Sequence, residues 1–285
     1  MFLSISSITS LKLGNLPGLF TVMVFFIIWV GCWLPIAALI VVTRNWRPHQ
    51  PLQPQQKLFL LIPLYLLAPL IFWVVTALTN TSFSDYGVLS NISILGSFAL
   101  GLSLALLSLA LMFFSQLWLG WCKFNKCNIK QILSLLLPTF LVAVVVGGVE
   151  ELVFRGFVFT QLQRDYSLGT AAAICSLIFA ILHLVWEQRE TAPQLPGLWL
   201  MGMVLVLARF ADNGNLGLAW GLHAGWVWAI ATLDTAQLID YSGQVSPWLT
   251  GKNQKPLAGV VGILCLLLTG VILLQAIAFF PTLRS

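Results

Sequence analysis

Long apolar stretches follow one another along almost the whole chain, separated by short polar segments. A run of about 18 or more apolar residues is long enough to cross a hydrocarbon core of about 30 Å as a helix. The pattern predicts spans near 18–43, 58–78, 90–119, 131–163, 168–186, 197–211, 215–233 and 257–280. The expected fold class is therefore all-α, a polytopic membrane helix bundle of about eight transmembrane helices. The fourth span is too long for a straight crossing, and an interfacial turn is expected within it. No small-residue cleavage site follows the first apolar run, which is expected to be retained as a helix. The chain reads as one domain without a soluble module. Residues 1–130 form N-terminal transmembrane helices, 131–235 a core with unusual polar residues, and 236–285 a loop and a C-terminal transmembrane helix.

Composition sharpens this picture. Of the 285 residues 59% are hydrophobic and 8% charged, against about 25% charged in soluble domains, so a water-soluble fold is excluded and the lipid bilayer is the solvent. The net charge of +5 does not imply nucleic acid, because the basic residues form small loop clusters. Arg44, Arg47 and Lys57 mark the first loop, Lys123, Lys126 and Lys130 the third, and Lys252 with Lys255 the seventh. These are alternate loops, which the positive-inside rule places on the cytoplasmic side. The second loop, with Asp85 and no basic residue, is then outside together with both termini; Arg164 also falls on that side. Cys32, Cys122, Cys127, Cys175 and Cys265 contain no C-x-x-C pair and are expected to be ordinary apolar side chains. His49, in a polar Pro-rich linker, is expected to be idle.

Several residues conflict with an apolar environment. A charge at the centre of a membrane helix costs about 2.5–3.5 kcal/mol, so such residues are functional candidates by default. Glu150, Glu151 and Arg155 all lie in the fourth span. On a helix Glu151 and Arg155 share a face and can pair. Glu150 points about 140° away from Arg155 at 100° per residue and needs a partner on another helix. His183 and His223 lie inside two further apolar spans, and together with Glu150 they suggest a convergent site. A structural polar knot that fixes helix packing is the alternative.

Gly217, Gly221 and Gly225 form a small-residue stripe that lets another backbone approach, with His223 on roughly the opposite side. Gly147 and Gly148 mark either a flexible or a closely packed turn. Arg209 and Asp212, three apart near a helix end, are expected to form a local ion pair. The two histidines and Glu150 also contain the donor types of a His₂Glu zinc site, although no H-E-x-x-H spacing is present.

Glu150-Glu151-x-x-x-Arg155, then Phe179-x-x-x-His183, then His223 in a Gly-Leu-His context resembles the CAAX protease and bacteriocin-processing family, also called Abi. The resemblance covers about Ile132 to Leu233. It implies a helical membrane bundle with the site in a cavity between helices, acting as an intramembrane protease on a membrane-anchored or lipidated peptide. By position, Glu150 and His183 would activate a water and His223 would help stabilise the oxyanion, with Glu151, Arg155 and Phe179 in support. No cofactor is expected, a divalent metal such as zinc being the variant reading. A bacterial-type plasma membrane is the setting the family suggests.

One position departs from the family pattern. Asn or Asp usually stands four residues after the third-motif His, and here the residue is Val227. Losing one oxyanion-hole donor costs about 2.7–4 kcal/mol. An indole N–H from Trp220 or Trp226, each about 60° from His223 around a helix, is a candidate replacement. A catalytically inactive member serving as a scaffold, immunity or partner-binding protein is the second hypothesis. Transport is disfavoured because the charges cluster instead of lining a path.

Overall fold

A computed structural model of the protein describes residues 16–44, 46, 53–89, 92–125, 129–185 and 188–279. His49 and Cys127 lie outside these. Eight long helices follow in order: α1 (Gly18–Thr43), α2 (Pro54–Thr79), α3 (Ser93–Trp118), α4 (Ile129–Glu151), α5 (Leu168–Leu182), α6 (Leu195–Ala211), α7 (Gly217–Thr235) and α8 (Val260–Phe279). The all-α polytopic bundle is thus present, and the chain is an integral multi-pass membrane protein. Among the described residues, seven helices are long and apolar enough to cross a membrane. The exception is α7, where the seventh span was expected; its sequence carries His223, Asp234, three tryptophans and three glycines. It does not need lipid-facing hydrophobicity, because it is packed along α3 and against α4 and α6.

Glycines set how closely that central helix approaches. A Cβ at Gly221 would lie 2.0 Å from the carbonyl oxygen of Phe98 on α3, and one at Gly217 would lie 2.7 Å from that of Ile94. The opposite wall is equally close, since a Cβ on Gly148 would meet the Trp220 indole at 3.0 Å and one on Gly147 the Ala224 nitrogen at 3.2 Å. Gly147 and Gly148 are therefore sites of close packing. Indole donors complete the α4–α7 seam, Trp220 Nε1 reaching the Val144 carbonyl at 2.8 Å and Trp228 Nε1 that of Leu136 at 3.0 Å.

The fourth span contains no interfacial turn. Helix runs unbroken over Ile129–Leu162, 34 residues, and the irregularity is a π-helical segment, Leu152–Val158, directly after Glu151. All seven residues of that segment are buried.

The loops reproduce the alternation of sides. Strands β1 (Cys122–Phe124) and β2 (Ile239–Tyr241), from the third and seventh loops, pair antiparallel with Lys123 opposite Asp240. On the other side, Leu216 N–H donates to Gly87 O at 2.8 Å, joining the second and sixth loops. The N–H of Gly18 donates to the Asp165 carboxylate of the fourth.

Candidate active site

The polar residues of α4 meet an imidazole from α7. Glu151 is 1% exposed and uses one oxygen, Oε1, twice: it lies 3.0 Å from Arg155 Nη1 and 2.7 Å from His223 Nδ1. An ionised carboxylate only accepts, so Nδ1 of His223 carries the hydrogen and the ring is held with Nε2 pointing away. Nε2 faces Glu150 Oε2 at 3.5 Å. That oxygen is buried and has no hydrogen-bond partner among the described residues. The other oxygen of Glu150 accepts from the Tyr65 hydroxyl on α2. Two adjacent carboxylates therefore approach one histidine from its two nitrogens, and the order Tyr65–Glu150–His223–Glu151–Arg155 ties α2, α4 and α7 together.

Arg155 is 0% exposed. Besides Glu151 it reaches the Gly202 carbonyl of α6 at 3.3 Å, and its guanidinium carbon lies 4.4 Å from the Phe179 ring centroid. The Phe179 ring separates the two histidines, with centroids 4.5 Å from His183 and 5.9 Å from His223. His183, in the short 3₁₀ turn that ends α5, makes its hydrogen bond to Phe179 O at 2.8 Å through Nδ1. It bonds to neither Glu150 nor His223.

Both histidines line one largely apolar cavity of about 280 Å³, together with Met201, Trp226, Val227 and Cys265. Glu150 is not among its lining residues. Lys255 and Pro256 form part of its wall and also of a second, polar cavity of about 370 Å³ lined by Asn125, Asp234, Asp240 and Tyr241. Lys255 Nζ pairs with Asp234 Oδ2 at 2.9 Å. Burial pushes the Tyr241 phenol up to about 12, with Cys122 and Asp234 adding to the effect, so this cavity keeps a protonated hydroxyl on its wall.

Trp226 and Trp220 both have their indole N–H groups engaged, the first with Ser108 Oγ at 3.1 Å and the second with Val144 O. Among the described residues no three His, Cys, Asp or Glu side chains are grouped to hold a metal ion. Glu150, His183 and His223 therefore do not form the ligand set a zinc reading requires.

The expected Arg209–Asp212 ion pair is not formed. Arg209, 8% exposed, donates to Gly214 O at 3.1 Å, to Thr160 Oγ1 at 3.0 Å and to the backbone carbonyl of Arg155. Asp212 instead accepts from Ser97 Oγ at 2.7 Å and from the Leu218 N–H at 3.1 Å. Burial raises the Asp212 carboxyl, and these two hydrogen bonds oppose the shift. Tyr65 is the residue sequence reasoning missed. A hydroxyl in an apolar run, flanked by Pro63 and Pro69 that each interrupt the helical ladder, was the available signal.

The chain is thus a multi-pass membrane bundle that holds buried carboxylates on a histidine beside an apolar cavity. Residues 132–229 match the family described as type II CAAX prenyl endopeptidase Rce1-like, a family of proteases. The match bears out the resemblance to the CAAX protease and bacteriocin-processing family. It spans α4 to α7 and holds every member of the Tyr65–Glu150–His223–Glu151–Arg155 chain except Tyr65, together with Phe179 and His183. No curated protein and no solved structure matches the chain.

Proposed function

We propose that this protein is an intramembrane endopeptidase that hydrolyses a peptide bond of a membrane-anchored or lipidated peptide or protein, using water activated by Glu150 and His183. The observation that carries this reading is the meeting of two histidines on one apolar cavity, one of them held between adjacent carboxylates. A structural knot needs only the Glu151–Arg155 pair, and Glu150, held by the Tyr65 hydroxyl and facing Nε2 of His223, goes beyond that requirement.

The tautomers support this division of roles. Phe179 O only accepts, so His183 donates from Nδ1 and offers the lone pair of Nε2 when neutral. It acts with Glu150 in taking the proton of the attacking water. The hydroxyl oxygen adds to the scissile carbonyl carbon. His223, given that proton by Glu150 across the 3.5 Å from Oε2 to Nε2, presents Nε2–H to the resulting oxyanion while Glu151 holds Nδ1. The C–N bond then breaks, and the departing nitrogen takes the proton that came from water. Water and the polar part of a peptide enter past Lys255 from the polar cavity, and the apolar portion lies in the histidine-lined cavity. The setting is a bacterial-type plasma membrane.

A second reading has its own observation. Val227 lines the same cavity as His223 and can neither donate nor accept, and the nearby indole donors are engaged. That is what a retired active site serving as a scaffold or partner-binding surface would contain. Comparing membrane-proteome termini in cells with the wild-type chain, Glu150→Gln or no copy, at matched protein levels, separates the two. Termini present only with the wild type establish proteolysis and identify the substrate. Identical termini for wild type and Glu150→Gln, with a phenotype only on deletion, refute the protease reading.

A further inference from the structure

The π-helical segment after Glu151 is gripped from outside its own helix. Cys175 Sγ on α5 donates to Phe154 O at 3.2 Å, and the Arg209 guanidinium on α6 donates to Arg155 O. Seven residues earlier on α6, Gly202 O accepts from the Arg155 side chain. One helix therefore holds Arg155 at both ends, by its backbone carbonyl and by its guanidinium. Arg209 is fixed in turn by Gly214 O and Thr160 Oγ1, with its guanidinium carbon 5.7 Å from the Phe159 ring centroid. Each of these partners is electrically neutral. A buried arginine with no carboxylate partner among these contacts is costly to retain, and π segments recur where a helix must be re-registered at a functional site.

We propose that Arg209 is a positioning residue for the site. By holding the carbonyl of Arg155 it keeps the π turn in register, which sets the Arg155 guanidinium on Glu151 and so the Glu151 carboxylate on Nδ1 of His223. This rests on the proposed role of His223 in stabilising the oxyanion, but the geometry it predicts is measurable without any substrate. The chain has three histidines, so isotope-labelled histidine in the purified full-length protein gives a spectrum simple enough to assign with His183→Gln and His223→Gln.

The wild type is expected to show a strongly downfield Nδ1–H proton signal from His223, the signature of its bond to Glu151. Arg209→Gln is expected to lose that signal while the His183 resonances stay in place, and Arg209→Lys to restore it in part. If Arg209 serves only the stability of the bundle, Arg209→Gln lowers the unfolding temperature and leaves the folded-state His223 signal unchanged, which overturns the proposal. Should Arg209→Gln not accumulate, Cys175→Ala removes the other external donor to the turn and is read in the same way, with a smaller upfield shift expected and an unmoved signal counting against the proposal. Absence of proteolysis by the wild type, with the His223 signal behaving as expected, would remove the enzymatic reading and leave the positioning role intact.

Discussion

Helices α1 and α2 are made from much the same apolar residues as the helices around the site, yet they occupy a different environment. In α1 and α2 only 17% of the most apolar window is buried within the protein, against 50% in the segment that contains α6; the most apolar window of the span containing α4 is 11% buried, and its difference from α1 and α2 lies in the buried segment Leu152–Val158 that follows Glu151. The first pair is joined by Trp29 and Trp33, whose indoles reach the carbonyls of Leu64 and Leu60 at 2.9 Å each. Most of its remaining side chains face outward, where lipid accepts any apolar group. Around α4, α6 and α7 the joining groups are a carboxylate–imidazole–guanidinium chain and glycines that admit neighbouring backbones. There each residue has a named partner, so identity as well as hydrophobicity is specified. The first region reaches into the second through the Tyr65 hydroxyl on Glu150 and through Phe25, Phe26 and Phe72, which pack on Phe157 and Phe154 of the π segment.

Substitutions should reveal this contrast directly. The largest effect on stability is expected from Arg155→Met, which leaves Glu151 buried beside His223 without its cation. Breaking one side of a buried pair costs about 3–5 kcal/mol, and the unfolding temperature of the purified protein in detergent measures it. Tyr65→Phe removes one hydrogen bond to a charged group, worth about 1.5–3 kcal/mol. Product formation is expected to fall about 10- to 100-fold with the fold retained; an unchanged rate would show that Glu150 needs no help from α2. The packing half of the contrast follows from Gly221→Ala set against Leu66→Ala. The first forces a methyl group toward Phe98 O and should cost about 1–3 kcal/mol. The second truncates a side chain that is 59% exposed to lipid and should change stability by less than about 0.5 kcal/mol. Equal losses from the two would remove the distinction between the regions.

What could be read from the sequence follows the same division. Apolar run length located every long helix to within a few residues, because lipid imposes one length requirement on all of them. It could not show that α7 is shielded by other helices, since burial among protein and burial in lipid select similar side chains. The Glu151–Arg155 pairing was readable because it is local, four residues apart on one face. The partners of Glu150 and Arg209 were not, because they come from α2, from α7 and from backbone carbonyls. Spacing alone suggested Asp212 for Arg209, whereas the fold gives each residue a different partner. The interfacial turn expected in the fourth span reflected its excess length. The structure keeps that length as continuous helix with a π segment placed where the site needs Arg155 turned toward α6.

The central claim is that Glu150 is present for chemistry and not for the stability of the bundle. It is tested most directly by measuring, in the same membranes, the unfolding temperature and the product termini of Glu150→Gln against the wild type. The account predicts an unfolding temperature that is unchanged or raised, because an incompletely paired buried charge has been neutralised, together with loss of every wild-type-dependent terminus. A lowered unfolding temperature with all termini retained would contradict it and make Glu150 part of a structural knot.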